Sequence, residues 1–162
     1  MREAGDPVLS QLHALGGANE VEACDPELAD TAAICEAYGY PPEYSANAIV
    51  VVGKSDPPVH ALCLVLAVDR LDVNKVVRKR LGTRKASFAA AETTIELTGM
   101  QIGGVTPFGV TTELPLWIDG HVMERDRVII GGGTRDRKLL VPPATLLLLP
   151  GAEVVADLAR PS

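Results

Sequence analysis

Short apolar runs separated by glycine, proline and charged residues extend along the whole chain, and their spacing predicts a mixture of helices and strands. Apolar positions three and four residues apart are typical of a helix, whereas a run of β-branched residues favours a buried strand. Helices are predicted over residues 6–16, 31–38, 88–98 and 144–149, with one more beginning after Asp72. Strands are predicted over residues 21–24, 48–52, 59–68, 116–119, 121–124, 127–130, 138–141 and 153–156. The pattern indicates an α+β fold with a curved, antiparallel or mixed sheet, in one domain over residues 1–162.

Capping residues support several of these helices. Asp6 precedes Pro7, and aspartate as N-cap followed by proline at the first helical position is a common helix start. Asp30, Asp72 and Ser87 are predicted to cap the next three helices in the same way. Gly99 follows the helix that Ser87 begins, where glycine often ends a helix in the left-handed conformation.

Composition narrows the class of protein. Apolar residues make up 47% of the 162 residues and aromatic ones only 4%, so Val, Leu, Ile and Ala must fill the core. No apolar run reaches the roughly 18 residues of a membrane span, and the first residues lack the pattern of a signal peptide. We therefore expect a cytoplasmic protein without a membrane partner, in which Cys24, Cys35 and Cys63 remain free thiols. The histidines are isolated, so no metal site is predicted. No cofactor is expected either.

Charge is distributed unevenly along the chain. The net charge is −6, but residues 1–47 carry −8 and residues 48–162 carry +2. Six basic residues and no acidic one lie between Lys75 and Lys85. Such a patch is able to meet phosphates, or it is simply the solvated face of a helix.

Residues 99–109, the glycine loop, contain four glycines and one proline between a predicted helix and a predicted strand. Glycine lets a ligand approach the backbone closely, and proline stiffens the chain. The segment is therefore either a rigid loop that presents its backbone groups to a small ligand or a helix end followed by an ordinary turn.

Two further features have both a functional and a structural interpretation. Gly131, Gly132 and Gly133, the glycine turn, precede Arg135 and form either an anion-binding turn or a flexible hairpin. Lys54 follows an apolar strand and a glycine, so its ammonium group either reaches over a cavity or extends into solvent. No serine–histidine–aspartate pattern and no GxSxG motif is present.

These features occur in an order that resembles a known family. The order is Lys54 after an apolar strand, then Gly103-Gly104-Val105-Thr106-Pro107-Phe108-Gly109, then Gly131-Gly132-Gly133 ahead of Arg135 and Lys138. From about residue 30 to about residue 158 the chain resembles the YbaK/EbsC family, the free-standing form of the editing domain inserted in bacterial prolyl-tRNA synthetases. The resemblance implies a curved, mixed, barrel-like sheet flanked by helices.

The resemblance also implies roles for residues. Lys54 corresponds to the functional lysine, which engages the terminal phosphate or the ester, and Gly103 and Pro107 correspond to the ends of a loop whose carbonyls meet the α-amine or the water. These three are the expected catalytic residues. The expected substrate-binding residues are Gly104, Val105, Thr106, Phe108, Gly109, Gly131, Gly132, Gly133 and Arg135. Some relatives carry a serine in place of Gly131, so a side-chain contact to the ribose is not expected here.

The function that follows is a trans-acting aminoacyl-tRNA deacylase, which hydrolyses the ester of a mischarged tRNA with a positioned water. The expected partners are the aminoacylated acceptor end of a tRNA and an aminoacyl-tRNA synthetase. The alternative is a non-catalytic module of the same fold that binds a nucleotide or the tRNA end and docks on a synthetase. A third possibility is a hydrolase for another small ester or for a nucleotide.

Overall fold

The computed structural model describes residues 5–29 and 31–161, in which helices flank a mixed sheet. The helices are α1 (Pro7–Leu15), α2 (Thr31–Tyr38), α3 (Arg78–Leu81), α4 (Ala91–Thr98) and α5 (Pro143–Leu146). The strands are β1 (Glu20–Ala23), β2 (Ala46–Gly53), β3 (Val59–Leu66), β4 (Asp69–Leu71), β5 (Ala86–Phe88), β6 (Leu116–Asp119), β7 (Val128–Gly131), β8 (Arg137–Val141), β9 (Ala152–Val155) and β10 (Ala159–Pro161). Within these residues no helix has the length and apolar character needed to cross a membrane.

The described strands form three sheets. The largest has the order β5-β2-β3-β6-β9; β2 pairs antiparallel with β5 and β3, whereas β6 pairs parallel with β3 and β9. A second sheet has the antiparallel order β1-β8-β7, and β4 pairs with β10 in a third. The predicted α+β fold with a mixed sheet is confirmed, but the described strands do not close into a barrel.

The core lies on both faces of the large sheet. Side chains alternate between the faces of a strand, so neighbours in β3 enter different clusters. Leu62 and Leu64 pack with Val128, Ile130 and others between the two larger sheets. Their neighbours Ala61, Cys63 and Val65 face the other way, towards a cluster that includes Leu71, Val77 and Leu158. The burial of both faces explains why 59–66 is an almost continuous apolar run.

Local capping signals were mostly sufficient to locate the helix ends. The Asp6 carboxylate accepts hydrogen bonds from the Val8 and Leu9 N–H groups, each at 3.1 Å. Asp72 accepts a bond from the Lys75 N–H at 3.1 Å, although the turn that it caps, Val73–Val77, is π-helical before α3 begins. Gly99 ends α4 with a φ of 75°. The predicted cap Asp30 lies outside the described residues.

Two predicted elements are wrong. Ser87 does not cap a helix, because residues 86–88 pair with the end of β2, with Ser87 opposite Val52, and α4 begins only after Ala90. Residues 121–124 are not a strand, because β6 ends at Asp119 and its carboxylate accepts a hydrogen bond from the His121 N–H at 3.2 Å. A 3-10 turn, Val122–Glu124, follows.

Candidate functional site

A cleft of about 320 Å³ lies beside one edge of β2. Strand β5 pairs only with residues 51–53 of β2, so it leaves the earlier part of this edge uncovered. The cleft lies against that part, and it is closed by the glycine loop, the end of β7 and one side chain of β8. The residues that carry the argument are Ala48, Gly103, Val105, Gly131 and Lys138, all of which line the cleft.

The glycine loop and the glycine turn pack backbone against backbone. The Gly133 N–H donates to the Gly104 carbonyl oxygen at 2.6 Å. A Cβ atom on Gly104 would lie only 2.7 Å from the Thr134 carbonyl oxygen, and one on Gly131 would collide with the Val105 carbonyl oxygen. Both positions therefore need glycine because no side chain fits between the two segments. This contact brings Gly103, Val105 and Gly131 to one wall of the cleft.

Lys138 places a buried cation in this wall. The residue is only 7% exposed, and its Nζ donates to the Gly103 carbonyl oxygen at 3.2 Å. Among the described residues that line the cleft, Lys138 is the one with a charged side chain, and Ser45, Asn47 and Thr94 add neutral polar groups. Because little water screens it, this ammonium group has a strong effect on negative charge that develops nearby.

Arg135 holds the glycine loop in place. Its Nη1 donates to the Ile102 carbonyl oxygen at 2.8 Å and its Nε to the Pro26 carbonyl oxygen at 3.1 Å. Its backbone N–H donates to the Gln101 side chain at 3.3 Å. Since the guanidinium lies directly against Gly103, Arg135 fixes the path of the loop from behind and is absent from the cleft wall.

The second half of the glycine loop points away from the cleft. Thr106 and Phe108 are fully buried, and Phe108 belongs to the core between the two larger sheets. Pro107 lines a separate cavity of about 390 Å³ with Gln11 and other residues. The Gly109 N–H donates to the Gln11 side chain at 2.6 Å. These residues anchor the loop, whereas Gly103 and Val105 face the cleft.

Lys54 lies outside this assembly. It is exposed directly after β2, its backbone N–H donates to the Lys85 carbonyl oxygen at 2.9 Å, and it does not line the cleft. Sequence reasoning assigned no role to Lys138 or Asn47. The sequence does contain a signal for both, because each is a polar residue directly before an apolar strand run. The run is 139–141 for Lys138 and 48–52 for Asn47.

One cluster of side chains with metal-ligand chemistry occurs in the described residues, and it lies elsewhere. Ligand atoms of Asp69, Asp119 and His121 are within 4.8 Å of one another. His121 Nδ1 lies 2.9 Å from Asp69, and this hydrogen bond raises the pKa of His121; burial raises the pKa of Asp119. Asp119 also accepts from the Ala159 N–H at 3.0 Å, so the cluster joins β4, β6 and β10.

Comparisons with known proteins agree with the fold. Residues 25–149 match a family described as the aminoacyl-tRNA editing domain. A crystal structure of a proposed trans-editing enzyme for prolyl-tRNA synthetase is 28% identical, with a TM-score of 0.82, over 100% of this chain and 99% of that one. A scaffold protein used for epitope grafting is 25% identical, with a TM-score of 0.81, over the full length of both chains. A hypothetical protein of known structure shares the fold at 22% identity, with a TM-score of 0.84, over 96% of this chain and 100% of that one.

Proposed function

Because the chain belongs to the aminoacyl-tRNA editing domain family, we propose that it is a deacylase that hydrolyses the ester between a wrong amino acid and the 3′ end of a tRNA. The observation that carries the proposal is the buried ammonium of Lys138 at the Gly103 carbonyl, in the wall of a small cleft. The similarity to a trans-editing enzyme supports action in trans on a tRNA charged by a synthetase.

The size of the cleft suits one aminoacyl group and its ribose. At about 320 Å³ it is at the lower end of the range for small-molecule sites. A nucleic-acid duplex has to remain outside, so only the terminal aminoacyl nucleotide enters. The apolar wall that Ala48 and Val105 help to form then meets the amino-acid side chain.

The chemistry needs positioning more than a protein nucleophile. An aminoacyl ester is already activated, so a bound water attacks its carbonyl carbon, the bond to the ribose oxygen breaks, and the proton of the water passes to that oxygen. Lys138 stabilises the oxyanion that forms at the carbonyl, and the Gly103 carbonyl accepts a hydrogen bond from the water or the α-amine.

The assignment of Lys54 as the functional lysine stays a prediction. Its place at the surface favours a contact with a phosphate outside the cleft, whereas Lys138 has the position that the ester requires. Pro107, Thr106, Phe108 and Gly109 are then proposed to act by holding the loop that carries Gly103.

The test is hydrolysis of tRNAs charged with alanine, cysteine, serine and proline, measured as the amino acid released over the spontaneous rate. We expect turnover of at least one. Chemical-shift changes at Gly103 and Gly131 on adding the tRNA end, with no release from any of the four, would overturn the proposal in favour of a binding module. Hydrolysis of a free amino-acid ester but of no charged tRNA would overturn it in favour of another small-ester hydrolase.

A further inference from the structure

An aromatic ring stands exposed at the rim of the cleft. Phe88, the last residue of β5, lines the cleft and is 59% exposed, whereas Phe108, the other phenylalanine of the chain, is fully buried. A phenylalanine left in solvent forgoes much of the free energy that its burial would provide. Proteins that bind single-stranded nucleic acid use such rings as platforms on which bases stack.

Basic residues cluster at the other end of β5. Lys85 precedes β5, and its carbonyl oxygen accepts the Lys54 N–H, so these two residues are neighbours across the β2–β5 pair. The turn Val73–Val77 packs against β5 and leads into α3. The exposed cations of these segments, here called the basic strip, are Lys54, Lys75, Lys79, Arg84 and Lys85.

The basic strip is electrostatically distinct from the rest of the protein. In residues 5–29 and 31–161, no ion pair involves any of its five side chains; Arg80, in contrast, pairs with Glu153. No acidic residue occurs between positions 73 and 91. The acidic groups nearest in sequence are Asp56, two residues after Lys54, and Asp72, three residues before Lys75; the Asp72 carboxylate pairs with Arg160 at 2.8 Å. Exposed charges beyond about 8–10 Å are screened at physiological salt, so the net charge of −6 does not cancel this local potential.

The spacing between the ring and the cations fits a single RNA strand. Phe88 is three residues after Lys85, which is about 10 Å along a strand. Three stacked nucleotides, at about 3.4 Å each, span about the same length. The unpaired CCA end of a tRNA has this length.

We propose that β5 is the track for the 3′ end of the tRNA. Phe88 stacks on the base next to the nucleotide in the cleft, and the basic strip binds phosphates where the strand leaves the duplex. This inference rests on the proposed function for the occupant of the cleft, and it adds the surface on which the RNA lies.

The test uses uncharged RNA, so it does not depend on hydrolysis. Binding is measured by fluorescence anisotropy for a 12-base-pair hairpin ending in CCA and for the same hairpin without the three nucleotides. Phe88→Ala and Phe88→Leu are expected to weaken binding of the CCA hairpin by roughly 5- to 150-fold and to leave the blunt hairpin unaffected. Phe88→Trp, which keeps an aromatic face, is expected to bind normally.

Variants of the basic strip are expected to affect RNA binding differently from variants of Phe88. Lys54→Gln and Lys85→Gln are expected to weaken binding of both hairpins and to reduce the slope of log K against log salt by about 0.7 to 0.9 for each phosphate that the variant no longer neutralises. Arg127→Gln is the matched control, since Arg127 pairs with Glu20 beside the other sheet.

The outcomes separate this proposal from the previous one. Three results would each overturn the track, even where charged tRNA is hydrolysed. They are normal binding of the CCA hairpin by Phe88→Ala, an unchanged salt slope in the lysine variants, and no binding of either hairpin by the wild type. Selective loss of CCA binding in Phe88→Ala supports the track even if no ester is hydrolysed, a result that would refute the deacylase alone.

Discussion

Asp6 connects the first helix to the wall behind the cleft, and replacing it tests that connection. Its carboxylate caps α1, and it also binds Arg137 through two bonds, from Nη1 at 2.7 Å and from Nη2 at 3.1 Å. Arg137 in turn donates from Nε to the Gly132 carbonyl oxygen at 2.7 Å. A change at Asp6 therefore reaches the glycine turn.

The expected cost has two parts. Removing an N-cap costs about 1 kcal/mol. The Asp6 and Arg137 side chains are 20% and 14% exposed, so the value of their ion pair lies between that of a surface pair and that of a buried pair, about 1–2 kcal/mol. Asp6→Ala should then lower the unfolding free energy by about 2–3 kcal/mol. Asp6→Asn, which keeps a good cap, should lower it by about 1–2 kcal/mol.

Thermal unfolding measures both variants. At about 2–4 °C per kcal/mol for a chain of this size, Asp6→Ala should lower Tm by about 4–12 °C and Asp6→Asn by about 2–8 °C. Equal Tm values for the two variants would show that the helix cap contributes nothing to stability. An unchanged Tm in Asp6→Asn would show that the ion pair contributes nothing.

The pH dependence adds a check on the sign. The hydrogen bond from Arg137 lowers the pKa of Asp6 in the folded protein. The ion pair is therefore fully present above the unfolded pKa of about 3.9 and is lost as the pH falls through the lower folded pKa. The Tm difference between the wild type and Asp6→Asn should shrink below about pH 4; a difference that grows there would refute the assignment.

Two further changes test the packing at the site and the cluster outside it. Gly131→Ala should push the glycine turn away from the Val105 carbonyl, destabilise the protein by about 1–3 kcal/mol and reduce deacylation at least about tenfold. Gly5→Ala is the control, because the space around Gly5 is open. Equal stability and activity of the two variants would contradict the close contact at Gly131. His121→Gln should flatten the pH dependence of Tm above about pH 6.5. The bond to Asp69 raises the pKa of His121, so the stabilisation from this bond is lost as the pH rises through the folded-state pKa. Identical profiles of Tm against pH for the wild type and the variant, measured by calorimetry, would refute this.

The sequence was sufficient where structure depends on near neighbours. The Asp6 cap and the left-handed Gly99 need only a few adjacent residues, and both were predicted correctly. The strand at 86–88 was missed because its pairing partner, Val51–Gly53, is more than thirty residues away, and that pairing overrides the capping tendency of Ser87. Local signals do not contain such partners.

The same distinction applies to the site. The glycines stand out in the sequence because they are clustered, and in the structure a backbone contact leaves no room for a Cβ atom at Gly104 and Gly131. Which lysine lies in the cleft depends on how β8 crosses behind the glycine loop, 35 residues from Gly103 in sequence. Sequence reasoning singled out Lys54, which follows an apolar strand and a glycine, and assigned no role to Lys138.

The central claim is that the cleft is a deacylation site whose cation is Lys138. Its most direct test compares the kcat/KM of Lys138→Met and Lys54→Met for hydrolysis of the charged tRNA that the wild type prefers, with Tm values to confirm folding. We predict that Lys138→Met loses about 10²- to 10³-fold in kcat/KM through kcat, whereas Lys54→Met changes mainly KM and its salt dependence. A folded Lys138→Met variant with normal kcat, beside an inactive Lys54→Met variant, would contradict the account and restore Lys54 as the functional lysine.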